Sequence, residues 1–419
     1  MKIAIIGSGI SGLVTAYFLS YKHEVWLFEQ NNYLGGHSYT TSIEDSDGIQ
    51  HIDTGFIVCN KKTYPNFIKL LNILNVQLQE SEMSFSVKDS ENKFEFSGSN
   101  ISTLFVQKNN LFNYQFWKML FDIYRFNLNA KKDMYLSTDI TVREFIKKHK
   151  LNAYAQKYYI LPLISAIWSS SINQALDFPI KFLFSFLDNH GLLNLNSAPK
   201  WYTVKGGSIT YVKKLQEKIA NNISLSCKVN KVSRINNKVR INTDNAELTF
   251  DKVIIATHSD QALTLLENPS ELEQSILSHI KYQESNVILH TDTNVLPNNK
   301  KAWASWNYFI NDSPQPNLTY NMNILQRLKS SVTYCVSLNL EGHINKNKII
   351  AKYKYSHPIY DEKSVEAKNM WSNININNIY YCGAYWGYGF HEDGINSAIG
   401  VLDMIDKDIL CSTAYTVAL

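Results

Sequence analysis

The chain has few cysteines, and they are scattered. Cys59, Cys227, Cys335, Cys382 and Cys411 are odd in number and form no C-x-x-C pair. That argues against a disulfide framework or a cysteine-built zinc site and fits a reduced, cytoplasmic protein. Long apolar runs are also missing: none reaches the roughly 18 residues of a membrane span. The chain opens on a short strand pattern rather than a secretion signal. Excess charge is small. A net charge of +4 and a pI near 8.5 are too weak and too spread out for nucleic-acid binding, though a mildly basic balance helps at an anionic surface. Repeats and low-complexity stretches are absent. Aromatics, in contrast, are plentiful, with 25 Tyr, 20 Phe and 8 Trp. They either replace aliphatics in the core or line an apolar ligand site. At 419 residues the chain is long enough for two domains.

The most informative stretch comes first. Lys2-Ile3-Ala4-Ile5-Ile6 reads as a strand, Gly7-Ser8-Gly9-Ile10-Ser11-Gly12 as a tight turn, and Leu13 to Leu19 as a helix. Gly7 lets the chain turn off the strand. Gly9 lets a pyrophosphate approach the backbone, and Gly12 lets helix and strand pack closely. The helix N-terminus then faces the phosphates. A second strand, Val25 to Phe28, ends in Glu29, 22 residues after Gly7 and placed to bond ribose hydroxyls. An acid there favours FAD or NAD over NADP. No second such fingerprint is evident. Gly35-Gly36 permits another close backbone approach.

Further along, Tyr64 to Leu74 is an amphipathic helix, and Tyr114 to Asn129 a longer one. The stripe of the longer helix, Trp117, Leu120, Phe121, Tyr124 and Leu128, reads as core rather than as a membrane-contacting face. Thr141 and Glu144 form a capping box for a helix to Lys150. Leu151 to Trp168 continues as helix, kinked by Pro162. Another helix runs from Pro179 to Asn189, and His190 before Gly191 reads as its C-cap in preference to a cavity group. Residues 281–340 alternate apolar and polar, which fits an antiparallel sheet of sequential hairpins. Trp303 and Trp306 lie three apart on a strand, so at most one lines a cavity.

Several stretches together resemble the flavin-containing amine oxidoreductase superfamily, and within it the bacterial group usually labelled predicted NAD/FAD-binding protein. They are Ile5 to Leu13, Leu34-Gly35-Gly36-His37, Asp53 to Val58, Thr63 to Phe67, Ala166 to Ser169, Asn189 to Leu193, Trp303 to Asn307 and Cys382 to Gly394. The resemblance implies an α/β fold, with a discontinuous Rossmann-type FAD-binding domain (residues 1–78, 202–262 and 365–419) and an inserted α+β substrate domain (79–201 and 263–364). It implies FAD as cofactor, held by Gly7, Gly9, Ile10, Ser11, Gly12, Glu29, Gln30, Gly35, Gly36, His37, Thr54, Gly55, Phe56, Val229, Thr257, Gly383, Asp393, Gly394 and Asn396. The last three lie at the start of a helix expected from Ile395 to about Asp406, and that start would face the flavin. Arginines usually flank the glycine pair in this superfamily. Here Tyr33 and His37 stand there, so the charged clamp is weaker or His37 supplies it when protonated.

The position just before the last helix is Phe390 or His391. His391, Tyr355 and His357 are the expected near-flavin, catalytic set; the alternative for His391 is a bond to its own turn. Three functions stay open. One is hydride removal from an apolar substrate, such as a fatty acyl chain of a membrane lipid. Another is amine oxidation at a C–N bond. The third is a non-redox flavoprotein or partner of a lipid-modifying methyltransferase. The expected location is cytoplasmic, with peripheral contact at the inner membrane surface, and no metal is expected.

Overall fold

A five-stranded parallel sheet stands at the centre of the computed structural model, which describes residues 1–135, 140–193, 199–313 and 315–410. Its order is Ile223–Ser224, Glu24–Phe28, Lys2–Ile6, Lys252–Ile255, Ile379–Tyr381. Each neighbouring pair is parallel. The strand of the glycine motif lies in the middle, so Ile3, Ala4 and Ile5 are fully buried, as the interior of a parallel sheet requires. The first helix, Ile10–Leu19, is buried along its whole length against the last helix, His391–Ile405. Two glycines permit these contacts. A Cβ on Gly12 would stand 2.0 Å from the Gly7 carbonyl oxygen, and one on Gly394 would stand 2.8 Å from Ile10 Cγ2.

The second sheet has seven strands, drawn from residues 85–97 and 281–359. Sequential hairpins hold only for Trp306–Ile310, Leu318–Asn321 and Cys335–Leu338. The strand Lys281–His290 pairs instead with Cys335–Leu338 and with the long strand Ile349–Ile359. Two 3-10 turns, Thr293–Val295 and Lys300–Ala302, separate it from Trp306 and make a tight hairpin there unavailable. The free edge of Trp306–Ile310 is taken by Phe85–Asp89, in parallel. Trp303 precedes the strand and donates its indole N–H to the Pro297 carbonyl.

Asp53 ties distant segments together. One carboxylate oxygen accepts from the Ser208 N–H, the Ser208 hydroxyl and the Thr40 hydroxyl; the other accepts from Gln326 Nε2. Its own N–H donates to Gln326 Oε1.

The helical insertion follows its local signals at the caps. Thr141 Oγ1 accepts from the Glu144 N–H, and the Glu144 carboxylate accepts in return. The helix expected from Leu151 to Trp168 is not uniform, and its irregular turn lies just ahead of Pro162. A π-helical turn, Gln156–Ile160, precedes Leu161–Trp168, and Pro162 falls in the first turn of that segment, where its missing N–H is not required. The long helix, Tyr114–Asp133, corrects the expectation for its stripe. Phe116, Met119, Phe126 and Ala130 face the core, while Trp117, Phe121, Tyr124 and Leu128 are exposed and Leu120 is half-buried. Both faces carry helical periodicity, and the helix buries the one with the smaller rings and the two aspartates, Asp122 and Asp133, that anchor neighbouring segments. Among the described residues, no helix is long and apolar enough to cross a membrane.

Candidate active site

One cavity of about 1030 Å³ joins the parallel sheet, the antiparallel sheet and the helical insertion. Its first end is built from backbone. Gly7, Gly9, Ile10 and Ser11 line it, with Gly35 and Gly36 opposite. Gly7 has φ +98° and packs on Ala256 and Thr257. At Gly9 the space is open: nothing lies within 4 Å of where a Cβ would stand. The helix N-terminus there has no side-chain cap, so its N–H groups are left for an anion. Glu29 lines the same end. Its oxygens accept from the Ser8 N–H and hydroxyl and from the N–H and amide of Asn31. Gln30, Val229, Thr257 and Gly383 also line the cavity. An open glycine turn, an uncapped helix start and a placed acid fit the pyrophosphate and ribose of FAD.

The middle of the cavity is lined by histidines that burial keeps neutral. His37 and His258 are pushed down to about 4 and His357 to about 3. His37 Nε2 and His357 Nδ1 are buried without a partner inside the protein. Burial therefore works against the protonated His37 that would stand in for the missing arginines. Tyr355 lies 4.8 Å from His37, ring to ring, and shares a 2.8 Å hydrogen bond with the Thr54 hydroxyl. Gly55 and Phe56 line the wall beside them. His391 stacks on Phe56 at 3.7 Å and pairs through Nε2 with the Tyr211 hydroxyl at 2.8 Å. Tyr211 donates its proton to Ser38 Oγ, so His391 Nε2 carries the hydrogen in that pair. Burial holds His391 down to about 3. The bond to Tyr211, rather than to its own turn, fixes this ring.

The far end is a wall of rings. Phe186 touches His190 at 3.8 Å, Phe390 at 4.6 Å and Trp168 at 4.7 Å. His190 reaches on to Trp201, and Phe186 to Tyr388. His190 fills both roles open to it. It is the C-cap residue before Gly191, which has φ +71°, and it lines the cavity. Its Nδ1–H donates to the Phe186 carbonyl at 2.9 Å, and burial lowers its pKa to about 4. A neutral ring so bonded presents an unprotonated Nε2. Trp306 lines the cavity and Trp303 does not.

Five of the expected residues lie outside the cavity wall. Gly12 sits behind it, packed on Gly7. Thr54 is one step removed, behind Tyr355. The last helix begins at His391, four residues before the expected Ile395, with Phe390 as its N-cap, so Phe390 holds the position just before the helix. Three of the expected residues lie within this helix and have contacts inside the protein. Asp393 caps the helix by accepting from the Phe390 N–H, Gly394 packs on the first helix, and Asn396 is exposed against Asn66. Cys382 is also off the cavity, beside Thr15, with its thiol pushed up to about 12. Sequence reasoning missed Phe186, Tyr211 and Tyr388. The i, i+4 spacing of Phe186 and His190 was the available signal for the first. Among the described residues, no cluster of three or more His, Cys, Asp or Glu could hold a metal ion.

Comparison with known proteins agrees with this geometry. The fold is similar to that of an Exiguobacterium sp. 255-15 protein described as a protoporphyrinogen oxidase, at TM-score 0.69 and 14% identity over 97% of this chain and 99% of that one. It is similar to cyclohexylamine oxidase from Brevibacterium oxydans IH-35A, at TM-score 0.67 and 11% identity over 97% and 99%. It is also similar to the fatty acid isomerase of P. acnes that produces CLA, at TM-score 0.68 and 13% identity over 96% and 98%. None of the curated proteins compared with the chain matches it in sequence. The model of the flavin-containing amine oxidoreductases matches residues 10–332, more than half of the chain. This protein belongs to the flavin-containing amine oxidoreductase family, and it is an FAD-dependent oxidoreductase.

Proposed function

We propose that the protein removes a hydride from an apolar substrate, a fatty acyl chain being the class that fits best. The supporting observation is the ring wall formed by Trp168, Phe186, His190, Tyr388 and Phe390. A carboxylate is the strongest anchor for an ammonium substrate. Among the described residues only two carboxylates line the cavity, Glu29 and Asp260. Glu29 is bonded to the glycine turn, and Asp260 follows the Thr257 that packs on Gly7. A chain that solvates no charge is better matched by rings and neutral imidazoles.

When bound, FAD supplies the acceptor for a hydride. The chain's own residues bind, orient and deprotonate. Phe186 and Trp168 hold an acyl chain by dispersion and exclude water. Loss of a hydride from one carbon makes the neighbouring C–H acidic, so a weak base is sufficient. His190 Nε2 accepts that proton, and a double bond is left. The bond from Nδ1–H to the Phe186 carbonyl keeps the lone pair on Nε2. His391 remains neutral and holds the wall beside Phe56. The similar structures include a fatty acid isomerase as well as amine oxidases, so this fold accommodates either substrate class.

Flavin absorbance under anaerobic conditions tests it. Bleaching on addition of phospholipid or free fatty acid is the expected result. Bleaching by alkylamines alone would transfer the assignment to C–N oxidation. Reduction by dithionite but by no organic donor would favour a non-redox flavoprotein, or a partner of a lipid-modifying methyltransferase.

A further inference from the structure

We propose that the helical insertion docks on an anionic lipid surface through the outward face of the helix Tyr114–Asp133. Eighteen large hydrophobic residues are exposed among the described ones, and nine of them fall in residues 101–135. On the helix they are Tyr114, Trp117, Phe121, Tyr124 and Leu128, at steps of three and four, so they form one stripe. Just before the helix Phe112 is 92% exposed, and within it Tyr114 is 73% and Phe121 61% exposed. Tyr and Trp on such a stripe belong at the headgroup level, where one end of the ring is wet.

Charge selects lipid over another apolar protein face. Residues 101–160 hold ten Lys or Arg and four Asp or Glu, a net +6, whereas the whole chain carries +4. The remainder therefore sums to net −2, although it holds a second basic stretch over residues 200–240. Two of its four acids, Asp122 and Asp133, are buried and bonded to Arg125, Lys148 and His149. Each offsets a cation beside it, and the net +6 already counts them. Lys118, Arg125 and Lys132 recur every seven residues along one flank of the stripe, and Lys131 stands on the other. Long basic side chains beside an apolar stripe are the arrangement of a helix lying in an anionic interface. The same helix packs on Ile180–Asn189, which carries Phe186 towards the cavity. The proposal does not depend on which substrate the cavity takes.

Co-sedimentation of the FAD-loaded protein with vesicles decides it. Phosphatidylcholine vesicles with a third phosphatidylglycerol should pellet the protein, pure phosphatidylcholine should pellet much less, and added salt should release it. The double variant Trp117→Glu/Phe121→Glu should stay in the supernatant with its flavin spectrum unchanged, which reports an intact fold. Lys118→Glu and Lys132→Glu should each lower binding by about fivefold without touching the apolar stripe. Failure of the wild type to pellet on anionic vesicles would overturn the proposal. So would equal binding by the double variant, or a wild-type dimer in solution that the double variant converts to monomer.

Discussion

The two ends of the cavity are made of different material. At the glycine turn the wall is backbone: N–H groups, an uncapped helix start and open space at Gly9. At the far end it is side chain, with Phe186 touching three other rings within 5 Å. Backbone recognition depends on a conformation and on the absence of a Cβ, so it accepts almost no substitution. A wall of rings depends on shape and polarity, so it can be re-cut without changing the fold. The fixed chemistry of a cofactor suits the first kind of wall, and a variable substrate suits the second.

The largest expected effect breaks the first end. Gly12→Ala puts a carbon where only 2.0 Å separates it from the Gly7 oxygen. Helix and strand must part, at a cost of about 3 kcal/mol or more. Loss of bound flavin, or of soluble protein, is the expected result, and wild-type flavin content would refute this account of the turn. At the second end, His190→Leu keeps an apolar wall but removes the Nε2 lone pair. Flavin content should be retained while turnover falls about 100-fold, the usual worth of a placed base. If turnover is unchanged, His190 is only a helix cap.

Acid acts on both ends together. His37, His190, His258 and His290 are held near 4, and His357 and His391 near 3, by burial. Each is neutral when folded but protonated when unfolded once pH drops below about 6.5, so each favours unfolding in that window. Three buried carboxyls oppose them. Asp53 and Asp393 are raised to about 6 and Glu392 to about 7, so they take up protons in the folded state. Six groups outweigh three, and every tenfold change in a group's proton affinity is worth ~1.4 kcal/mol. The melting temperature should therefore fall between pH 6.5 and 4. A flat or rising curve would mean that the histidines are solvated.

The same contrast explains what is legible in the sequence. Gly7, Gly9 and Glu29 can be placed from spacing alone, because a backbone-built site has a fixed local pattern. The family likeness extends that to Val229, Thr257 and Gly383. Expecting the last helix to start at Ile395 places its start four residues late: the helix begins at His391, and Asp393 caps it by accepting from the Phe390 N–H. The ring wall is illegible because Phe186 and Phe390 are 204 residues apart and meet only through tertiary packing. The stripe from Trp117 to Leu128 reads inward in sequence because apolar periodicity gives a face but not its direction. The buried Asp122 and Asp133 on the opposite face hold that answer, since each anchors a neighbouring segment.

The smallest effect separates two ways of holding one ring. His391 is fixed by stacking on Phe56 at 3.7 Å and by the 2.8 Å bond to Tyr211. His391→Ala removes the ring itself and should leave FAD bound while turnover is lost. Tyr211→Phe removes only the hydroxyl, along with its bond to Ser38. That costs about 1 kcal/mol of stability, because the bond is buried and Ser38 loses its partner. The stack remains, so the imidazole should keep its plane and turnover should fall no more than about twofold, since a bond of this kind contributes little to orientation once a ring is clamped. If Tyr211→Phe instead loses as much turnover as His391→Ala, the hydrogen bond orients the ring and the stack does not. The rule that rings govern the variable end of the cavity would then stop at His391, and the polar chain from Ser38 through Tyr211 would count with the fixed end.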